Sequence, residues 1–135
     1  MPVDGDVGRK KIEEVRWAVS ELRRLTSKEF EELSVDEKYA IRYNIIVLVE
    51  SLVSLCVHLA SESFGVRPSS YREAVRVVAE RVGMRNVSDL ELLVGLRNLL
   101  VHRYWSVDDG KVYQSLKANF KCVEEFLGKV ERLLG

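Results

Sequence analysis

Cysteine, histidine, proline and any imbalance of charge are scarce in this 135-residue chain. Its two cysteines, Cys56 and Cys122, sit in apolar stretches without Cys-x-x-Cys spacing. That argues against a metal site or disulfide framework and for buried free thiols in a reducing cytoplasm. No cofactor motif stands out. Lys and Arg total 21, as do Asp and Glu, so there is no basic excess with which to coat nucleic acid. A local basic site is not excluded. The opening "MPVDGDVGRKK" has no apolar core, so it does not read as a secretory signal. The most apolar window, residues 45–60, carries Glu50 and His58 and reads as too polar to span a bilayer. A cytoplasmic protein with no membrane segment is expected. Strand-period segments, internal repeats and low-complexity tracts are absent too.

What is present is a helical period and enough apolar residues, 47%, for one core. A single all-α domain over residues 1–135 is expected, an antiparallel bundle of four to five helices with residues 1–11 as a flexible lead-in. Ile12, Val15, Val19, Leu22 and Leu25 make the first stripe, with Trp17 beside it. Ser34 and Glu37 have capping-box spacing and open a second helix that stops near Gly65, with Pro68 beyond. That helix has about 30 residues, roughly 45 Å at 1.5 Å per residue. Ile45 to Val49 are consecutive apolar residues, so it is either the central helix or is covered by a second subunit. A homodimer is the preferred explanation. Ser70 with Glu73 opens a third helix ending at Gly83. Ser88 with Glu91 opens a fourth near Asp89, with Val87 and Leu92 placed as a hydrophobic staple. "SVDDG" breaks it, and Asp108 caps a last helix with apolar positions 112, 116, 120, 123, 127, 130 and 134.

The fourth helix ends in "RNLLVHRYW", residues 97–105. At helical spacing Glu91, Gly95, Asn98 and His102 share one face, and Arg97 lies on the adjoining stripe with Val94, Val101 and, if the helix persists, Tyr104. Leu92, Leu96, Leu99 and Leu100 are expected in the core. Gly95 costs a helix about 1 kcal/mol relative to Ala, so close approach of another backbone or a ligand is expected there. Arginine with histidine suits metal-free RNA cleavage. A histidine titrating near pH 6.5 takes or gives the proton, and a guanidinium fork meets the phosphate oxygens where charge accumulates. Asn98 can orient the imidazole or bind phosphate. By itself Arg-x4-His is a weak signal, because such residues are ordinary on the wet face of a helix.

The wider segment "RNLLVHRYWSVDDGKVY" resembles the signature of the HEPN superfamily, and within it the HepT-like ribonuclease toxins. Arg97, Asn98, His102 and Tyr104 match its Arg-Asn-x-x-x-His-x-Tyr element, and Val107-Asp108 match the loop that follows. "DEKYAIRYNIIVLVESLVSLCVHLA" and "GVRPSSYREAVRVVAERVG" resemble the second- and third-helix regions, so the likeness spans residues 34–130. The resemblance implies a dimerising bundle whose motifs face a shared cleft, and a metal-independent endoribonuclease. It also implies a cognate minimal nucleotidyltransferase antitoxin that silences the toxin by adenylylating Tyr104. Such a group adds bulk and negative charge where an RNA phosphate must sit.

Arg97 and His102 are thus the catalytic candidates, Asn98 a supporting one and Tyr104 the regulatory one. Arg42, Tyr43, Glu50 and Arg103 are candidates for the cleft or for an interface. His58 reads as a core or interface histidine, and Trp105 as packing at the helix end rather than RNA stacking. The competing function is a non-catalytic helical subunit that binds nucleotide or substrate for a nucleotidyltransferase.

Overall fold

Five α-helices, joined by short connections and two single 3-10 turns, make up the computed structural model, which describes residues 5–135. They are α1 (Gly5–Leu25), α2 (Val35–Phe64), α3 (Tyr71–Arg81), α4 (Ser88–His102) and α5 (Asp109–Leu134). The all-α bundle expected from the apolar period is the observed architecture.

Helix α1 begins at Gly5, earlier than its apolar stripe suggests, so residues 5–11 are helical. Residues 1–4 lie outside the described residues. The early start has a packing reason. Gly8 is buried against α5, and a Cβ there would lie 2.9 Å from Leu134 Cδ1. Lys11 Nζ donates to Ser54 Oγ of α2 at 2.7 Å. Along the seam with α5, Arg16 pairs with Glu131 and Arg23 Nη2 meets Glu124 Oε1 at 2.7 Å. These exposed pairs set the antiparallel register but add little stability each.

Helix α2 is the central element. It buries Ile45, Leu48, Val49, Leu52, Leu55, Cys56 and Leu59 against the other helices. The unbroken apolar run is therefore explained largely within one chain, although Tyr39, Tyr43 and Val57 remain exposed. By length and composition α2 is also apolar enough to cross a membrane, contrary to the reading of residues 45–60 as too polar. More than half of its most apolar window is buried in the fold. Its N-terminus has both halves of the capping box: Ser34 Oγ accepts from Glu37 N, and Glu37 Oε1 accepts from Ser34 N. At the other end Gly65 takes φ +64°, and Val66 N donates back to Ala60 O at 2.8 Å, closing the helix.

The other expected boxes are altered. Ser70 caps α3 through Glu73 N, but the Glu73 carboxylate turns to Ser69. At α4 the Ser88–Glu91 box does not form. The helix starts at Ser88, and Asn86 Oδ1 takes the Ser88 hydroxyl and Asp89 N instead. Asp108 caps α5 as expected, accepting from Gly110 N and Lys111 N at 2.9 and 3.2 Å.

Candidate functional site

Helix α4 packs antiparallel to α2, burying Leu90, Leu93, Val94 and Leu100. This rotates the helix from its expected orientation. Of the predicted core leucines only Leu100 is buried. Leu92 is 67% exposed, and Leu96 and Leu99 are half-buried. These three line one wall of a 410 Å³ groove whose other wall is Val107, Val112, Ser115 and Asn119. The buried side instead takes in Arg97, whose side chain is only 19% exposed.

Arg97 is held from three directions. Its Nε donates to Glu50 Oε1 of α2 at 2.7 Å, and its Nη2 lies 2.6 Å from the same oxygen in an ion pair. Its Nη1 donates to Asn98 Oδ1 at 3.1 Å. The guanidinium also lies over the Tyr71 ring, 5.1 Å from its centroid, a cation–π geometry. Tyr71 Oη closes the cluster by donating to Glu50 Oε2 at 3.0 Å. That bond, with burial and the Glu50 charge, raises the Tyr71 phenol pKa, because each disfavours the phenolate. Glu50, a cleft or interface candidate from sequence, is thus the carboxylate that orients Arg97. Tyr71 was missed: it stands one residue after an ordinary cap, and no spacing within the chain signals that it reaches across to α2.

His102 ends α4 and is exposed, with no hydrogen-bond or ion-pair partner among the described residues. It lies five positions beyond Arg97, about 7.5 Å of rise and about 140° of rotation. The two do not touch within one chain. The helix does not persist to Tyr104, because Arg103 breaks it at φ −142°, ψ 45° and a 3-10 turn, Tyr104–Ser106, follows. Tyr104 and Trp105 pack edge to face at 5.2 Å and stand 60% and 70% exposed. Arg103 and Tyr43 are exposed without side-chain bonds among the described residues. Arg42 is engaged below the turn, with two bonds to Asp109 and one each to the carbonyls of Tyr104 and Val107. The space beside Gly95 is not taken by another backbone. A Cβ there would lie 2.8 Å from Arg72 Nη2, so an α3 guanidinium fills the gap.

The all-α bundle thus carries an arginine held by a carboxylate, an exposed histidine five positions further along α4 and an exposed tyrosine beyond it. The chain belongs to the ribonuclease HepT-like family, whose model matches residues 11–130. Solved structures share the fold. A tri-AMPylated HEPN toxin from Shewanella oneidensis, in complex with MNT antitoxin, superimposes with a TM-score of 0.84 at 17% identity, over 94% of this chain and 98% of that one. A toxin–antitoxin structure with AMP-PNP gives 0.83 at 17% identity over the same shares. The Bacillus subtilis cytosolic protein YutE, of unknown function, gives 0.76 at 23% identity, over 98% of this chain and 91% of that one. No curated protein matches the sequence.

Proposed function

We propose that this chain is a metal-independent endoribonuclease, the toxin of a toxin–antitoxin pair, acting through Arg97 and His102 and regulated at Tyr104. The observation that carries this reading is the division of labour along α4. Arg97 is fixed by Glu50 and Asn98, while the His102 imidazole is solvent-accessible and free to move a proton.

In the reaction, the 2′-oxygen of RNA attacks the adjacent phosphorus and the bond to the 5′-oxygen breaks. The proton of the 2′-hydroxyl passes to a neutral imidazole, and an imidazolium returns one to the 5′-oxygen. The products are a 2′,3′-cyclic phosphate and a 5′-hydroxyl. Arg97 stabilises the charge on the phosphorane through its remaining N–H groups, and Asn98 holds the guanidinium plane. Because the two functions diverge around α4, two copies of the chain related by a two-fold axis are proposed to share one cleft. Such a cleft supplies a base and an acid from separate protomers. The charge-balanced surface fits an enzyme that grips RNA locally.

The family and the solved complex of a HEPN toxin with MNT antitoxin support a nucleotidyltransferase partner. Transfer to Tyr104 joins its phenol oxygen to the α-phosphorus of ATP and breaks the α–β phosphoanhydride. Pyrophosphate leaves and the phenol proton goes to solvent. The resulting phosphodiester places a negative charge two residues from His102, where it repels the RNA backbone.

Cleavage of RNA in EDTA by wild type, Arg97→Ala and His102→Ala tests the catalytic reading. Chelation-resistant cleavage ending in cyclic phosphate and lost in both variants is the expected result. Equal inertness of three folded proteins would overturn it in favour of a nucleotide- or substrate-binding subunit of the transferase.

A further inference from the structure

The geometry points to Arg42 as a positioning residue for Tyr104, the α2 side chain that fixes the turn on which the regulatory tyrosine is offered to its modifying enzyme. This inference rests on the Tyr104 reading above and assigns it a mechanism.

The Tyr104–Ser106 turn has little structure of its own. Two backbone bonds close it, Ser106 N to Arg103 O at 2.9 Å and Val107 N to Tyr104 O at 3.4 Å, the second at the long limit. None of its three residues is buried, and its two aromatic rings pack on each other. A turn so exposed belongs to the least stable part of a fold unless something pins it.

Arg42 supplies the pin. Its Nη1 donates to Tyr104 O at 2.8 Å and its Nη2 to Val107 O at 3.4 Å, so one guanidinium holds both ends of the turn. The same group is anchored to the first residue of α5: Nε meets Asp109 Oδ1 at 2.7 Å and Nη2 meets Asp109 Oδ2 at 3.1 Å. Both partners are largely withdrawn from solvent, with side chains 18% and 27% exposed. A planar fork with fixed donors reaches both carbonyls and a carboxylate together; an ammonium cannot. Asp109 holds the Arg42 charge below the turn, and the carbonyl bonds face the Tyr104 main chain inward. The Tyr104 side chain is left 60% exposed, against the Trp105 ring. Tyr104 is therefore presented rather than merely exposed.

The consequence is specific. Adenylylation requires the phenol oxygen in line with a phosphorus held by another protein, and misplacement of an attacking group is costly in rate. Freeing the turn lowers the rate of transfer to Tyr104, without altering how the transferase binds ATP.

The test uses full-length wild type, Arg42→Ala, Arg42→Lys and Asp109→Asn, each with the cognate nucleotidyltransferase and MgATP. Transfer is followed by the mass of the Tyr104 peptide, and amide exchange is followed over residues 103–108. The expected result is faster exchange confined to that segment and a fall in kcat for transfer of about tenfold or more in Arg42→Ala, with KM for ATP unchanged. Arg42→Lys is expected to resemble Arg42→Ala, because an ammonium offers its three donors from one point and cannot span both carbonyls and the Asp109 carboxylate. Asp109→Asn, which keeps the turn bonds and loses only the anchor charge, is expected to lie between. Wild-type exchange in Arg42→Ala overturns the clamp. Faster exchange with undiminished transfer overturns the positioning role. If Tyr104 of wild type is not modified at all, the regulatory reading falls and the positioning role with it, while exchange still judges the clamp. Should Arg42→Ala fail to fold, Arg42→Met, which keeps the apolar stem and removes every donor, decides both questions against wild type.

Discussion

Replacing Glu50 by Gln keeps the shape of the group that grips Arg97 and removes its charge. Arg97 Nε donates to one carboxylate oxygen at 2.7 Å, Nη2 lies 2.6 Å from the same oxygen, and the Tyr71 hydroxyl donates to the other at 3.0 Å. A hydrogen bond to a charged group contributes roughly 1.5–3 kcal/mol, and a second nitrogen close to the same oxygen does not double that. The Glu50 side chain is 40% exposed, so solvent screening discounts the pair toward the surface value of about 1 kcal/mol or less. Burial of Arg97 raises the figure again, because an arginine left without its carboxylate keeps a desolvated charge. The net expectation is a loss of about 1–2 kcal/mol for Glu50→Gln. In a cycle of Glu50→Gln with Arg97→Met, the coupling should be about 1 kcal/mol, partly screened by added salt. Urea unfolding of the four proteins measures it, and kcat on an RNA substrate should fall with the stability term corrected for. A coupling near zero would refute the claim that Glu50 orients Arg97. So would full kcat in a folded Glu50→Gln.

Further outcomes follow from the same structure. Leu93→Ala should cost about 2–5 kcal/mol and Leu92→Ser less than about 1, by chemical denaturation, because Leu93 is buried and Leu92 is exposed. The carboxyls of Glu37 and Glu131 sit below the usual 4.5, Glu37 chiefly through the Ser34 amide and Glu131 through Arg16. A lowered folded pKa stabilises above the unfolded value. Stability should therefore fall as pH drops below about 4.5, and Glu37→Gln should flatten part of that acid limb in a pH series of Tm. Gly95→Ala should leave stability unchanged or raise it by up to about 1 kcal/mol, since the added Cβ meets only the mobile end of Arg72. A large loss of stability would show that the gap is rigid. Cys56 and Cys122 should resist alkylation at pH 8 until the chain unfolds, because burial pushes both thiols up, Cys122 to about 11.

The helix count, the caps at Ser34 and Asp108, the long second helix and the Arg97–Asn98–His102–Tyr104 segment are legible in the sequence. Capping residues and the 3.6-residue period act through neighbours along the chain, so reading along the chain recovers them. The family likeness is local for the same reason. Whether two chains share a cleft is a question about a second molecule, and a single sequence carries it only through resemblance.

Tertiary structure decided the rest. Which side of α4 faces inward turned on packing against α2, and it exchanged the expected leucines Leu92, Leu96 and Leu99 for Leu90, Leu93 and Val94, with Arg97 drawn in beside them. The box at Ser88 lost to Asn86, and the lead-in at residues 5–11 became helix because Leu134 lies against Gly8. Arg42 reaching a turn 62 residues away, and Tyr71 sharing Glu50 with Arg97, leave no trace in spacing. A polar contact between distant segments depends on how helices are rotated and stacked. That rotation is set by the summed packing of many apolar side chains and has no local signature.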